Sequence, residues 1–150
     1  MLNRIEKQIE IKAPVSRVWR ALTDYREFGE WFRVKLDGPF VAGQPSTGHM
    51  TYPGYEHLKW EVAVDRIEPE RLFSLRWHPY GVDPNIDYSK ETPTLVEFTL
   101  SATVTGTRLV VTESGFDQVP EHRRDEAYRM NEGGWEIQVK NIQNYVTQNT

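Results

Sequence analysis

Residues 120–146 read PEHRRDEAYRMNEGGWEIQVKNIQNYV and form the longest stretch of the chain with helical periodicity. One apolar stripe runs along it at helical spacing, formed by Trp135, Val139, Ile142 and Val146. Gly133 and Gly134 stand just before the stripe, and each costs about 1 kcal/mol relative to Ala in a helix interior. The pattern predicts a long helix over 120–147. The glycine pair indicates room for another backbone, a bulky side chain or a bound molecule beside it.

The residues before this helix alternate between apolar and polar types, which is typical of half-buried strands. The alternation is clearest over residues 5–11, 58–64, 73–77, 96–100 and 108–116, and short strands broken by turns are predicted over 33–56. Two short helices follow the first strand: Pro14 takes the first helical position of one, and Asp24 caps the other in a capping-box pattern with Glu27. We therefore expect an α+β fold in which about six or seven antiparallel strands curve around the long helix.

Length and composition narrow the classes of function. The 150 residues suit one domain, 1–150, and no run of Lys or Arg accompanies the net charge of −4, so no nucleic-acid partner is predicted. The chain has no apolar run of membrane-spanning length and no signal-peptide segment at residues 1–7, so we expect a cytoplasmic protein that does not enter a membrane. It has no cysteine and no Gly-rich dinucleotide motif, and no cofactor is predicted.

Three stretches together resemble the SRPBCC superfamily, the START/Bet v 1-like proteins. They are IKAPVSRVWRALTDYREFGEWF (11–32), EVAVDRIEPERLFSLRWHP (61–79), and LVEFTL (95–100) with GTRLVVTESGF (106–116) and GGWEIQVKNIQNYV (133–146). The nearest branch is similar to the C-terminal domain of the activator of Hsp90 ATPase. The resemblance implies a helix-grip fold with an apolar cavity between the long helix and the concave sheet face. Such folds serve as carriers, sensors, cyclases and co-chaperones, so the resemblance specifies no single activity.

Glu113 is the first candidate site residue. It shares strand parity with Leu109 and Val111, so its carboxylate is predicted to face the buried side of the sheet. Buried carboxylates gather at functional sites, but the same parity also fits a structural ion pair, for example with Arg76, or a strand end open to water.

Further candidates are aromatic or amide side chains. Tyr128, Asn131 and Trp135 fall on one face of the long helix, where Asn131 is placed to hydrogen-bond a ligand. A set of aromatic residues either lines the cavity or fills it, and the sequence alone does not distinguish these two outcomes. The set consists of Trp31, Phe32, Trp60, Trp77 and Phe98.

The four histidines show no metal-binding spacing, and no metal site is predicted. His78 stands at a strand end beside the polar loop 79–93, which we expect to be the most mobile long connection and to lie near the cavity mouth. The favoured function is binding of a small apolar or aromatic molecule. The alternatives are a cyclase- or hydratase-type enzyme with Glu113 or His78 as general base, and, from the resemblance alone, a co-chaperone associated with a chaperone of the Hsp90 class.

Overall fold

The structure, a computed structural model, describes residues 3–149. Its strands and helices, in chain order, are β1 (Arg4–Ile11), α1 (Val15–Thr23), α2 (Tyr25–Phe32), β2 (Val34–Leu36), β3 (Pro45–Met50), β4 (Lys59–Glu68), β5 (Leu72–Trp77), β6 (Thr94–Ala102), β7 (Thr107–Ser114) and α3 (Glu121–Gln148). Single 3₁₀ turns occur at Tyr88–Lys90 and Phe116–Gln118.

The strands form one antiparallel sheet in the order β1-β7-β6-β5-β4-β3-β2. The two short helices lie between β1 and β2 in the chain, and the long helix α3 follows the last strand. The predicted α+β architecture, with its curved antiparallel sheet and terminal helix, is therefore confirmed.

Helix boundaries follow local capping chemistry. Pro14 is the N-cap of α1 and not its first helical residue, because its extended ψ of 155° lies outside the helical range. Asp24 caps α2 as predicted, since its Oδ1 accepts hydrogen bonds from the backbone N–H groups of Arg26 and Glu27. The carboxylate of Glu27 does not complete the capping box; it pairs with Arg17, at 2.8 Å, and with Arg20.

The last predicted strand ends two residues early. Gly115 has a φ of 99°, in the left-handed region that favours glycine, and this turns the chain out of β7 after Ser114. Phe116 therefore lies in a 3₁₀ turn, where it is fully buried against the ring of Tyr128.

The apolar stripe of α3 packs into the core as predicted, and Trp135 retains only 3% of its exposure. The role inferred for the glycine pair is wrong in part. A Cβ atom built on Gly133 or Gly134 would meet no atom within 4 Å, so neither glycine makes room for a packed backbone or side chain. The space beside both is open.

Candidate functional site

Glu113 lies at the centre of the polar structure inside the fold. Its side chain faces the same side of β7 as Leu109 and Val111, and all three residues are buried. The predicted inward orientation of Glu113 is confirmed, and its exposure is 0%. This depth requires an explanation, because a buried carboxylate is costly unless its oxygens are hydrogen-bonded.

Four neutral donors surround this carboxylate. The Trp77 indole N–H (2.8 Å) and the Thr94 hydroxyl (2.6 Å) donate to Oε2, and the Trp135 indole N–H (2.9 Å) donates to Oε1. The Asn131 amide donates to both oxygens, at 2.9 and 3.1 Å. The donors come from β5, β6 and α3, so the carboxylate joins the helix to the middle of the sheet. An arrangement made only of donors suits an ionised carboxylate, which only accepts hydrogen bonds.

No cation takes part in this network. Arg76 is the exposed residue of β5, and no ion pair to Glu113 occurs within residues 3–149. The ion pair considered for Glu113 and Arg76 is therefore not formed. Hydrogen bonds to a charged acceptor contribute about 1.5–3 kcal/mol each, so the bonds from these four donor groups offset a large part of the cost of burial.

Aromatic rings fill the space between α3 and the sheet at this point. Trp77 stacks on Trp135 with ring centroids 5.6 Å apart and planes inclined by 22°. Phe98 meets the Trp135 ring edge-on at 5.6 Å, and Phe32 lies 6.3 Å from it. The two indoles thus occupy the region directly beneath α3 and direct their N–H groups to Glu113.

The candidate binding site is a cleft of about 900 Å³ beside this aromatic layer. Its inner wall consists of Phe32, Met50, Trp60, Trp77 and Asn131, and residues of the segment from His78 to Ser89 also line it. The cleft also reaches the outer side of the sheet at Lys59, Glu61, Ala63 and Arg76. It therefore opens where β4 and β5 separate and is not an enclosed chamber under the helix.

The structure brings together only part of the predicted ligand-binding set. Phe32, Trp60, Trp77 and Asn131 line the cleft. The other predicted residues do not line it. Trp135, Phe98 and Glu113 belong to the layer described above. The Trp31 indole N–H donates to the Ala21 carbonyl, and the Tyr128 hydroxyl donates to the Arg4 carbonyl.

Hydrogen bonds fix two further side chains of the predicted set, Tyr128 in the interior and Trp60 in the cleft wall. Burial raises the pKa of Tyr128, and the nearby Glu132 raises it further, so this hydroxyl remains a neutral donor to β1. The Trp60 indole N–H donates to Ser46 Oγ at 3.0 Å, which holds that ring in the cleft wall.

His78 lies in the cleft wall, and its Nε2 is 3.0 Å from the Glu91 carbonyl oxygen. No group of histidines and carboxylates that would hold a metal ion occurs among residues 3–149. In the same range, none of the helices has the length and apolar character needed to cross a membrane.

One residue that sequence reasoning missed is Arg123, in the first turn of α3. Its guanidinium pairs with the Glu91 carboxylate, donates to the Pro79 carbonyl and lies 4.8 Å from the Tyr88 ring centre. Both partners of the ion pair are largely buried, with exposures of 11% and 14%. Both ends of loop 79–93 are thus attached to α3. The sequence shows Arg123 only as an arginine at the start of the long helix, and nothing in its neighbours indicates the contact with Glu91.

An antiparallel sheet gripped against one long helix, with two short helices inserted after its first strand, defines a protein of the helix-grip class. The sequence pattern of the activator of Hsp90 ATPase homolog 1-like proteins matches residues 12–147, and the chain belongs to this family. No curated protein matches the chain significantly in sequence.

Solved structures share the fold over nearly the whole chain. Protein MLL2253 from Mesorhizobium loti is 27% identical, with 98% of each chain covered and a TM-score of 0.76. The Aha1 dimer from Colwellia psychrerythraea is 18% identical, with 97% of this chain and 96% of that chain covered and a TM-score of 0.70. CalU16 from Micromonospora echinospora is 22% identical, with 95% and 75% covered and a TM-score of 0.65.

Proposed function

We propose that this protein binds a small apolar or aromatic molecule in the cleft beside Trp60 and Trp77. The observation that carries the proposal is the cleft's inner wall, where aromatic rings surround one amide, that of Asn131. Because the amide nitrogen of Asn131 donates to Glu113, its carbonyl oxygen is the group that it offers to a ligand. A mostly apolar wall with few oriented polar groups is typical of small-molecule sites.

The size of the cleft favours a ligand with more than one ring. Burial gains about 25 cal/mol per Å² of apolar surface, so a ligand that buries about 300 Å² gains about 7–8 kcal/mol before the cost of association. A single small ring buries about half that area and would bind only weakly. Cytoplasmic location and action without a cofactor or redox chemistry are part of this proposal.

In this role Glu113 is a positioning residue. Its five hydrogen bonds, from four donor groups, hold the indoles of Trp77 and Trp135 and the amide of Asn131 in place, and both of its oxygens are occupied. Glu113 would have to lose one of these donors to act as a general base. Among the predicted bases, His78 is the one in the cleft wall, so an enzymatic role would rest on its ring.

The experiment is a titration with 1-aminoanthracene, a fluorescent three-ring amine. Met50 is half-buried in the cleft wall, whereas Met130 lies on α3 outside the cleft with an exposure of 49%. We expect saturable binding to the wild type, a loss of affinity of about tenfold or more in Met50→Arg, and no change in Met130→Arg, since a charge at Met50 opposes entry of an apolar ring. Absence of saturable binding, or equal losses in both variants, would contradict the proposal.

Association with a chaperone is the second candidate. The family's description supports it, as does an exposed aromatic pair: the rings of Tyr52 and Tyr55 lie 5.7 Å apart, and each residue is more than half exposed. Exposed aromatic groups are enriched at protein interfaces. We would measure sedimentation of the protein with a purified Hsp90-class chaperone. A complex that the double variant Tyr52→Ser, Tyr55→Ser fails to form would support this candidate, and no complex with the wild type would exclude it.

A further inference from the structure

One strand edge of the sheet is left without a partner inside the cleft. Pairing between β4 and β5 stops at Ala63 opposite Arg76, and β5 ends at Trp77. Residues 59–62 of β4 therefore pair only with β3 in the described part of the chain. The cleft lies along the free side of these four residues.

The hydrogen-bonding groups on this free side follow from the β3–β4 register. The Val64 N–H donates to the Gln44 carbonyl at 3.0 Å, and the Leu58 carbonyl accepts from the Met50 N–H at 3.0 Å. Even-numbered residues of β4 thus direct their backbone groups to β3. Successive residues of a strand alternate in this respect, so Lys59 and Glu61 direct their N–H and C=O groups into the cleft.

The chain itself cannot occupy this edge by extending β5. A turn follows Trp77, in which the Gly81 N–H donates to the His78 carbonyl at 3.3 Å. Tyr80 has a φ of 51°, in the left-handed region that a tyrosine rarely adopts. The turn therefore directs the chain away from β4 at the point where pairing would continue.

The outer edges of the sheet are protected, in contrast. On β1, the carbonyl of Arg4 accepts from the Tyr128 hydroxyl and the carbonyl of Glu10 accepts from Gln143, both on α3. At the opposite edge, β2 is only three residues long. Proteins cover or shorten edges because an open edge pairs readily with another strand. No hydrogen bond from another element reaches the free side of residues 59–62 within the part of the chain that the structure describes.

The two faces beside this edge differ in chemistry. Trp60 and Trp77 lie on the inner face, and Lys59, Glu61 and Arg76 lie on the outer, exposed face. A strand placed here would turn alternate side chains to the aromatic wall and to solvent. The edge therefore favours an extended segment with apolar residues alternating with polar ones.

We propose that the free edge of β4 binds an extended peptide as an added strand. Four residues span about 13 Å, and the two that lie opposite Lys59 and Glu61 exchange main-chain hydrogen bonds with them. Their side chains face outward, and the intervening apolar side chain packs against Trp60 and Trp77. This inference goes beyond the binding of a small apolar molecule, because here the backbone of the partner is recognised.

The first test needs no ligand. In amide hydrogen exchange followed by NMR, we expect the Lys59 and Glu61 amides to exchange about a hundredfold faster than those of Trp60 and Val62, which are bonded to β3. Equal protection of all four amides in a monomer would overturn the inference. If the protein is a dimer in which Glu61 is protected, the edge is filled by a second copy, and the peptide proposal also fails.

The second test uses blocked peptides, Ac-Thr-X-Thr-Val-NH2 with Phe, Trp or Leu at X, at up to about 1 mM. We expect at least one of them to bind and to slow exchange of the Lys59 and Glu61 amides. N-methylation of both Thr residues removes the donors that face β4 and should weaken binding by about tenfold or more. The matched control, N-methylation at X, leaves those donors intact and should have little effect.

The outcomes separate this inference from the proposed function. If 1-aminoanthracene binds but no peptide does, or if the two methylated peptides bind equally well, the strand-pairing inference is wrong and the small-molecule site stands. Glu61→Pro gives an independent test, because the backbone group that it removes is an N–H that faces the cleft. This variant should fold and lose peptide binding. If it unfolds, the comparison of the two methylated peptides still tests whether the peptide pairs with β4.

Discussion

The side-chain amide nitrogen of Asn131 on α3 donates to both carboxylate oxygens of Glu113 on β7. This contact joins the long helix to the sheet through a single carboxylate, and the same carboxylate orients the two stacked indoles. One wall of the cleft, formed by Trp77 and Asn131, is therefore set by a residue that does not itself line the cleft. Stability of the core and geometry of the site depend on the same hydrogen bonds.

Replacement of Glu113 by Gln should destabilise the protein by about 3 kcal/mol, because the new NH2 group faces donors and leaves at least one buried N–H unpaired. Urea unfolding measures the loss. Glu97→Gln is the matched control: Glu97 lies on β6, is half-buried and has its side chain outside this network, so its effect should stay within about 0.5 kcal/mol. A comparable loss in both variants would show that the network is not the source of stability.

Replacement of the glycine pair of α3, in contrast, should raise the stability of the protein. No atom lies within 4 Å of a Cβ added at Gly133 or Gly134, and both residues are inside the helix. Gly133→Ala and Gly134→Ala should each raise the free energy of unfolding by up to about 1 kcal/mol, since alanine is the better helix former. Thermal unfolding tests this. A loss of stability at Gly134, the less exposed of the two, would mean that a neighbour approaches it more closely.

Sequence periodicity predicted the fold well because it shows which side of each strand or helix faces the core. Parity placed Glu113 on the inner face of β7, and helical spacing placed Tyr128, Asn131 and Trp135 on one face of α3, all as observed. Periodicity could not predict that Trp77 and Thr94 are partners of Glu113, because they come from other strands whose register is set by the whole sheet.

The same limit applies to the cleft. Whether the aromatic residues line a cavity or fill it depends on tertiary packing: Trp135 and Phe98 fill the interior, whereas Trp60 and Trp77 form a wall. The attachment of loop 79–93 by Arg123 was missed because Glu91 lies 32 residues away in the chain. Its proline-bearing sequence favoured mobility, while the contact that opposes mobility is non-local.

Arg123→Met should release the loop 79–93, which contributes lining residues to the cleft. The variant keeps much of the side chain's length but removes the partner of the largely buried Glu91 carboxylate and the donor to the Pro79 carbonyl. We expect faster hydrogen exchange over residues 79–91, while the central strands β5, β6 and β7 keep their protection, because only local contacts are lost. Arg129→Met, at an exposed position of the same helix, is the control. Unchanged exchange in the loop would show that other contacts hold it.

Tyr145 links the C-terminal part of α3 to the short helices, and it should make stability depend on pH in the alkaline range. Its hydroxyl donates to Glu27 Oε1 at 3.1 Å, and burial, followed by this hydrogen bond, raises the pKa of Tyr145 to about 12. In the unfolded chain the pKa is about 10. Between these values the unfolded state loses the proton while the folded state keeps it, so stability falls as pH rises. The contribution is complete below about pH 10 and is lost as pH rises towards about 12.

The measurement is urea unfolding of the wild type and Tyr145→Phe at several pH values from about 8 to about 11.5, which covers most of that window. The wild type should be the more stable protein at the lower end, and the difference should narrow as pH rises, because the phenylalanine variant has no proton to lose at this position. Tyr55→Phe, at a residue with an exposure of 53%, is the matched control for the loss of a tyrosine hydroxyl. A constant difference for Tyr145→Phe would mean that its hydroxyl titrates alike in the folded and unfolded states.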